Sequence, residues 1–157
     1  MRVLCVAAAG GHIEQMMVCL DAFAGHEVVF AHYDWPSFRD FSDRRVSRHV
    51  GIFLGGDGDD KMRLLVGMIL SAFQWVWLLA WFRPHVVFST GAEVAIVPIV
   101  LGKLFRRRTI FLETAARMQN PSGTGKVVYR FCDAFFVQSE AMLTVYGPKA
   151  RFVGGLL

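Results

Sequence analysis

The sequence predicts an α/β domain built on a doubly wound, Rossmann-like parallel sheet. Three observations predict it. Short, continuous apolar runs recur along all 157 residues, and unbroken rather than alternating hydrophobicity marks strands covered on both faces. Segments with apolar residues at helical spacing separate those runs, so strand and helix alternate. Glycines stand where the first run ends, at Gly10 and Gly11, where a strand turns into a helix. No internal repeat or low-complexity segment interrupts the pattern, and the length suits one domain, residues 1–157.

The elements follow in order. Residues 3–9 form the first strand, and Gly10-Gly11 a tight turn. Ile13, Met16, Met17, Leu20 and Phe23 share one face of a helix that Gly25 closes. Residues 27–32 are a second strand, 33–48 a mixed charged and aromatic loop, and 50–54 a third strand. Gly55-Gly56-Asp57-Gly58-Asp59-Asp60 reads as a turn with an acidic helix start. A long apolar helix follows. Pro84 then leads into a strand over 85–89, and 92–104 is helical with a kink expected at Pro98. A strand at 108–113, a loop at 114–123, and a short helix at 124–131 come next. A strand at 134–138, a helix at 139–146 and a strand at 151–153 complete the chain. Ligands of such sheets bind outside the carboxyl ends of the strands, here residues 8–12, 32–34, 89–93 and 113–117.

Hydrophobic residues make up 54% and charged residues 19%, which excludes a disordered tail or a solvated coiled coil. The mean hydropathy of +0.40 is high for a soluble domain of this size. The net charge of +4, carried mostly by Arg, suits anionic partners: nucleic acid, acidic membrane or phosphorylated substrates. With 14 Phe and 4 Trp, a membrane surface fits at least as well as nucleic acid, and no nucleic-acid partner is expected. Cys5, Cys19 and Cys132 form no metal-ligand spacing and read as reduced, buried thiols. No metal or cofactor is expected. The amino terminus does not read as a signal peptide.

Residues 64–82 carry no charge, and Lys61, Arg63 and Arg83 flank them. Such a helix would be about 28 Å long, close to the thickness of a bilayer core. Strands on both sides belong to one sheet, however, so a single crossing would separate its halves. The expectation is therefore a membrane-associated helix over 61–83, packed on the sheet and lying on the leaflet; a broken or re-entrant element, burial in protein alone and a span in another topology are the alternatives. Arg63, Gly67, Ser71 and Gln74 draw one narrow polar or small stripe along it. Arg63, Trp75, Trp77, Trp81 and Arg83 are its candidate membrane anchors.

The Ala9-Gly10-Gly11-His12 turn can cradle a phosphate at the start of a helix, and His12 can act as a base or bind phosphate. A bare turn with a locally bonded His is the alternative. The spacing is not GxGxxG. Ser122-Gly123-Thr124-Gly125-Lys126 is not a P-loop, because Asn120 and Val127 stand where Gly and Ser or Thr are needed. Glu93, after Ser89-Thr90-Gly91, and Glu113, with Arg117 four residues on, sit at strand ends as candidate substrate contacts. Their alternatives are a helix-start carboxylate for Glu93 and a Glu113–Arg117 salt bridge. Arg106-Arg107-Arg108 either compensates a helix dipole or meets an anionic lipid or a diphosphate.

Taken together, these segments resemble a known family. They are Ala9-Gly10-Gly11-His12, Ser89-Thr90-Gly91-Ala92-Glu93, and Glu113-Thr114-Ala115-Ala116-Arg117 leading to Pro121-Ser122-Gly123-Thr124-Gly125-Lys126. Phe136-Val137-Gln138-Ser139-Glu140, Tyr146-Gly147-Pro148-Lys149-Ala150 and Val153-Gly154-Gly155-Leu156-Leu157 fit too. The chain resembles the membrane-anchoring, acceptor-side subunit of split GT-B glycosyltransferases. These include the eukaryotic asparagine-linked glycosylation anchoring subunit and the bacterial PssD/CpsF-like polysaccharide biosynthesis proteins. The resemblance implies the N-terminal half of a GT-B enzyme, with a UDP-sugar-binding glycosyltransferase subunit as heterodimer partner. A polyprenyl-diphosphate-linked sugar would be the acceptor in an inverting hexosyl transfer serving exopolysaccharide or capsule synthesis. By likeness to MurG-type enzymes, His12 and Glu113 would be catalytic. Gly10, Gly11, His12, Ser89, Thr90, Gly91, Glu93, Arg117 and Thr124 would bind the acceptor or its diphosphate. The chain's end at Leu157 suits a half-enzyme. The absence of an N-terminal membrane helix leaves anchoring to 64–82 and favours a bacterial member at the cytoplasmic face of the plasma membrane. The cleft is expected to face that membrane. A non-catalytic membrane scaffold and a soluble dinucleotide binder, supported only by Asp34, remain as alternatives.

Overall fold

The computed structural model describes residues 1–33, 43–52 and 61–156, without the side chains of 61, 63–65 and 68. Seven strands form one parallel sheet in the order β3-β2-β1-β4-β5-β6-β7. They are β1 (Arg2–Val6), β2 (Glu27–Tyr33), β3 (Arg48–Ile52), β4 (Val86–Ser89), β5 (Arg108–Leu112), β6 (Ala134–Val137) and β7 (Ala150–Phe152). The strands are buried on both faces, as their unbroken apolar runs require: Val3, Leu4, Cys5 and Val6 of β1 are each fully buried. Strand order reverses between β1 and β4, because the chain winds outward to β3 and then returns to pair β4 with β1, Val3 against Val86. A crevice forms at such a switch point, outside the carboxyl ends of the strands.

One face of the sheet carries α1 (Gly11–Cys19), through Ile13 and Met16, with a 3-10 turn over Leu20–Phe23. The other carries α2 (Lys61–Phe82), α3 (Ile96–Leu104), α4 (Gly123–Val128) and α5 (Ala141–Tyr146), packed around Ile99, Phe111, Val128, Phe135 and Met142. The helix expected over 92–104 is divided. A 3-10 turn covers Glu93–Ala95, and α3 starts at Ile96. Pro98 has no N–H to donate and its ring clashes with the carbonyl four residues back, so it belongs in a first turn. The expected turn at 55–60 and Asp34 lie outside the described residues.

The structure corrects the reading of α2. Trp75 is 1% exposed and sits in the core with Leu78, Leu79 and Phe82, so it is not an interfacial anchor. Gly67 and Ser71 of the small-residue stripe are also buried, whereas Gln74 is exposed. The outer face is the greasier one: Val66, Ile69, Leu70, Phe73, Val76, Trp77 and Trp81 are all exposed. Trp77 and Trp81 stack in parallel, 5.5 Å apart, and the Arg48 guanidinium lies 4.9 Å from the Trp81 ring centre. Among the described residues, no helix is long and apolar enough to cross a membrane. Because α2 connects parallel strands of one sheet, its carboxyl end lies at the sheet's amino edge.

Burial raises the thiols of Cys5, Cys19 and Cys132, that of Cys19 to about 11 and that of Cys132 to about 12. All three are free, and burial favours the thiol over the more nucleophilic thiolate.

Candidate functional site

The switch-point crevice is built by two loops that the sequence places 78 residues apart. After β1 the chain turns at Gly10, whose φ of 78° and ψ of −148° suit glycine alone. Gly11 opens α1, and a Cβ at either glycine would face open space. The first amides of a helix have no carbonyl one turn back, so the Gly11 and His12 N–H groups face the crevice side of α1.

His12, half-buried in the first turn of α1, is held by the loop after β4. Its Nδ1 lies 2.9 Å from the Thr90 carbonyl oxygen. That oxygen can only accept, so Nδ1 carries the proton and neutral His12 keeps an unprotonated Nε2. Thr90 Oγ1 donates back to the His12 carbonyl at 2.7 Å. Gly91 lies under the ring: with φ at 120°, a Cβ there would come within 2.8 Å of His12 Cε1 and Nδ1. Ala92 continues the strained loop with φ at 62°. Thus the structure brings together His12, Thr90 and Gly91.

Other predicted contacts take different roles. Ser89 and Thr90 are fully buried, and Ser89 Oγ accepts from the Gly91 amide at 3.2 Å. Both shape the loop. Glu93 opens the 3-10 turn and hydrogen-bonds Tyr33 at the end of β2; burial first, then the Glu93 carboxylate, raises the Tyr33 hydroxyl. Thr124 lies half-buried in the first turn of α4, and Arg117 is exposed in the 114–122 loop.

Glu113 is enclosed at the end of β5. It is 1% exposed and accepts from four donors: the Thr114 amide at 3.0 Å, the Ser122 amide at 3.3 Å, the Ser122 hydroxyl at 3.0 Å, and the Tyr146 hydroxyl. Its oxygens are taken up by these donors, and among the described residues it makes no ion pair with Arg117. It fastens the 114–122 loop and α4 to α5. Burial, then the bond to Glu113, raises the Tyr146 hydroxyl. Gly125 packs so close to Tyr146 and Glu113 that no side chain fits.

Two residues that the sequence did not single out as site residues link this latch to α1. Gln138 Nε2 donates to Gln15 Oε1 and to the Glu113 carbonyl, each at 2.9 Å. Gln138 Oε1 accepts from the Leu156 amide at 3.0 Å. Gln15 stands three residues after His12, so the helix that carries His12 is tied to β5, β6 and the segment after β7. A polar residue at an otherwise apolar helix position was the available signal.

The arginines expected near a diphosphate lie elsewhere. Arg83 precedes β4 and Arg106, Arg107 and Arg108 lead into β5, at the opposite end of the parallel strands from His12. Five residues of strand separate the two ends by about 16 Å. Arg63 lies in the first turn of α2, and its side chain is outside what the structure describes.

Solved structures share this architecture. MurG from Acinetobacter baumannii superposes with a TM-score of 0.73 over 87% of this chain at 14% identity. UDP-N-acetylglucosamine 2-epimerase from Rickettsia bellii does so at 0.69 over 99% and 12% identity. The chain spans only 41% and 45% of those proteins. It therefore has the fold of one Rossmann-like half of a GT-B protein. Residues 58–156 match the family described as oligosaccharide biosynthesis protein Alg14 like, and the chain belongs to that family. The UDP-N-acetylglucosamine transferase subunit ALG14 of Saccharomyces cerevisiae is 21% identical over 191 aligned positions, covering all of this chain and 77% of that protein.

Proposed function

We propose that this protein is the acceptor-side, membrane-associated subunit of a two-chain glycosyltransferase. The observation that carries the reading is His12 at the sheet's switch point, held by the Thr90 carbonyl so that its free nitrogen is Nε2. In this reading a UDP-sugar-binding subunit supplies the donor across the crevice. The acceptor is a polyprenyl-diphosphate-linked sugar, and its diphosphate rests against the Gly10-Gly11 turn and the first amides of α1. His12 Nε2 takes the proton of the acceptor hydroxyl as that oxygen attacks the anomeric carbon, and UDP leaves from the opposite side with inversion. Thr90, Gly91 and Ser89 position His12, and the Glu113 latch holds the neighbouring loop.

The membrane part of the proposal rests on the exposed apolar face of α2, with Trp77, Trp81 and Arg83 at its carboxyl end. A helix packed on the sheet by its inner face and apolar on its outer face lies along the leaflet as a monotopic element. The cytoplasmic face of the plasma membrane, and a role in exopolysaccharide or capsule synthesis, complete the assignment. The test is sugar transfer from a UDP-sugar to a lipid-linked acceptor, with each chain alone and with both. Transfer that needs both chains and fails in His12→Ala supports the proposal. Full transfer by this chain alone overturns the split arrangement. Unimpaired transfer in His12→Ala, with the partner still bound, favours a scaffold instead.

A further inference from the structure

The amino edge of the sheet, remote from His12, carries a cluster that the proposed reaction leaves unused. Lys103, Arg106, Arg107 and Arg108 line a cavity of about 470 Å3 with one carboxylate, Asp133. Asp133 is already engaged: it pairs with Lys103 and accepts from the Thr109 amide at 2.9 Å. The three arginines have no acidic partner among the described residues, and the buried Nε of Arg107 has no hydrogen-bond partner.

The backbone here makes an unusual choice. The end of α3 is a Schellman turn, with the Arg107 amide donating to the Gly102 carbonyl at 2.8 Å and the Arg106 amide to the Lys103 carbonyl at 3.0 Å. The left-handed position of that turn normally belongs to glycine, yet Arg106 occupies it with φ at 56°. Arg83 does the same after α2, with φ at 48°. Its Nε donates back to the Ala80 carbonyl at 3.3 Å, so Arg83 has a capping role. Arg106 has no such bond among the described residues. Leu104 and Phe105, directly before it, are 72% and 41% exposed.

We infer that the turn between α3 and β5 docks on acidic phospholipid, with Arg106, Arg107 and Arg108 taking headgroup phosphates and Leu104 and Phe105 entering the acyl boundary. This rests on the membrane reading proposed above and adds headgroup selectivity at a second element. Apolar side chains ahead of guanidiniums match the layering of a leaflet. A free phosphate or a nucleic acid would engage the arginines but leave Leu104 and Phe105 in water. The carboxyl end of α2, with Trp81 and Arg83, shares this edge. Both elements therefore reach one bilayer surface, along which α2 runs back from this edge to the crevice edge.

The experiment is flotation with vesicles of phosphatidylcholine alone or mixed with phosphatidylglycerol. Each basic residue at an acidic surface contributes enough that losing three lowers partitioning about a hundredfold. The triple variant Arg106→Gln, Arg107→Gln, Arg108→Gln should lose that preference for acidic vesicles and keep its binding to neutral ones. High salt should weaken the wild type toward the same level. Arg106→Gly relieves the left-handed strain, so it should melt no lower than wild type while binding acidic vesicles less tightly. Acidic-vesicle preference that survives the triple variant overturns the inference. So does phosphate binding without vesicles that the triple variant abolishes, if vesicle preference is unchanged. Equal binding of wild type to both vesicles overturns it but leaves the α2 reading intact. Acidic-vesicle binding lost in the triple variant but kept in Trp77→Ser/Trp81→Ser upholds it and removes α2 from the membrane reading. Binding to neither vesicle overturns both.

Discussion

The two faces of α2 can be separated by single substitutions. Trp75 is 1% exposed within the core cluster, whereas Trp77, two residues on, is 60% exposed. Trp75→Ala deletes a fully buried indole and leaves a cavity against Leu78, Leu79 and the sheet, at a cost of about 3–5 kcal/mol. For a domain of this size each kcal/mol lowers Tm by roughly 2–4 °C, so the drop should be about 6–20 °C. Trp77→Ala forfeits only its stacking on Trp81 and should cost below about 1 kcal/mol. Vesicle flotation should rank them the other way. Trp77→Ala should weaken binding, and Trp75→Ala, assayed below its melting point, should not. Thermal unfolding and flotation on the same preparations give both rankings. Equal losses of Tm would refute the inside-outside assignment, and unaltered flotation of Trp77→Ala would refute the role of the outer face.

Other outcomes follow from the site. Gly91→Ala, which forces a Cβ against the His12 ring at an unfavourable φ, should lose transfer activity as His12→Ala does, with the domain still folded by circular dichroism. Gly125→Ala intrudes on the Glu113–Tyr146–Ser122 latch and should cost about 1–3 kcal/mol in denaturant unfolding. Glu113→Ala should destabilise the fold and speed trypsin cleavage after exposed Arg117, whereas Glu113→Gln, which keeps an acceptor oxygen, should do both less. At Asp133, burial alone would raise the carboxyl, but Lys103 and the Thr109 amide and hydroxyl outweigh it and hold it below the usual 3.8. Its contribution to stability is therefore full above that value and lost as pH falls below it. Asp133→Asn should flatten the acid limb of a Tm-against-pH curve.

Most of the fold was legible because strand burial writes itself as unbroken apolar runs. The run expected over 27–32 became Glu27–Tyr33, and 134–138 became Ala134–Val137. The orientation of α2 was not legible. A helix apolar nearly all round gives periodicity no contrast, and the small-residue stripe turned inward because Gly67 and Ser71 allow close packing. Within the site, His12 and Thr90-Gly91 were visible as separate turns at strand ends, and parallel topology joined them. The enclosure of Glu113 was not legible, because a strand-end carboxylate looks the same whether open or enclosed. Its enclosure depends on Ser122 and Tyr146, 9 and 33 residues away. The Gln15–Gln138 pair spans 123 residues, beyond any local pattern.

The most direct measurement is transfer of labelled sugar from a UDP-sugar to a polyprenyl-diphosphate-linked acceptor, in vesicles that hold this chain and its donor-binding partner. The account predicts transfer only when both chains are present, abolished by His12→Ala while the two chains still co-purify. Transfer by either chain alone, or an unimpaired rate with His12→Ala, would contradict it.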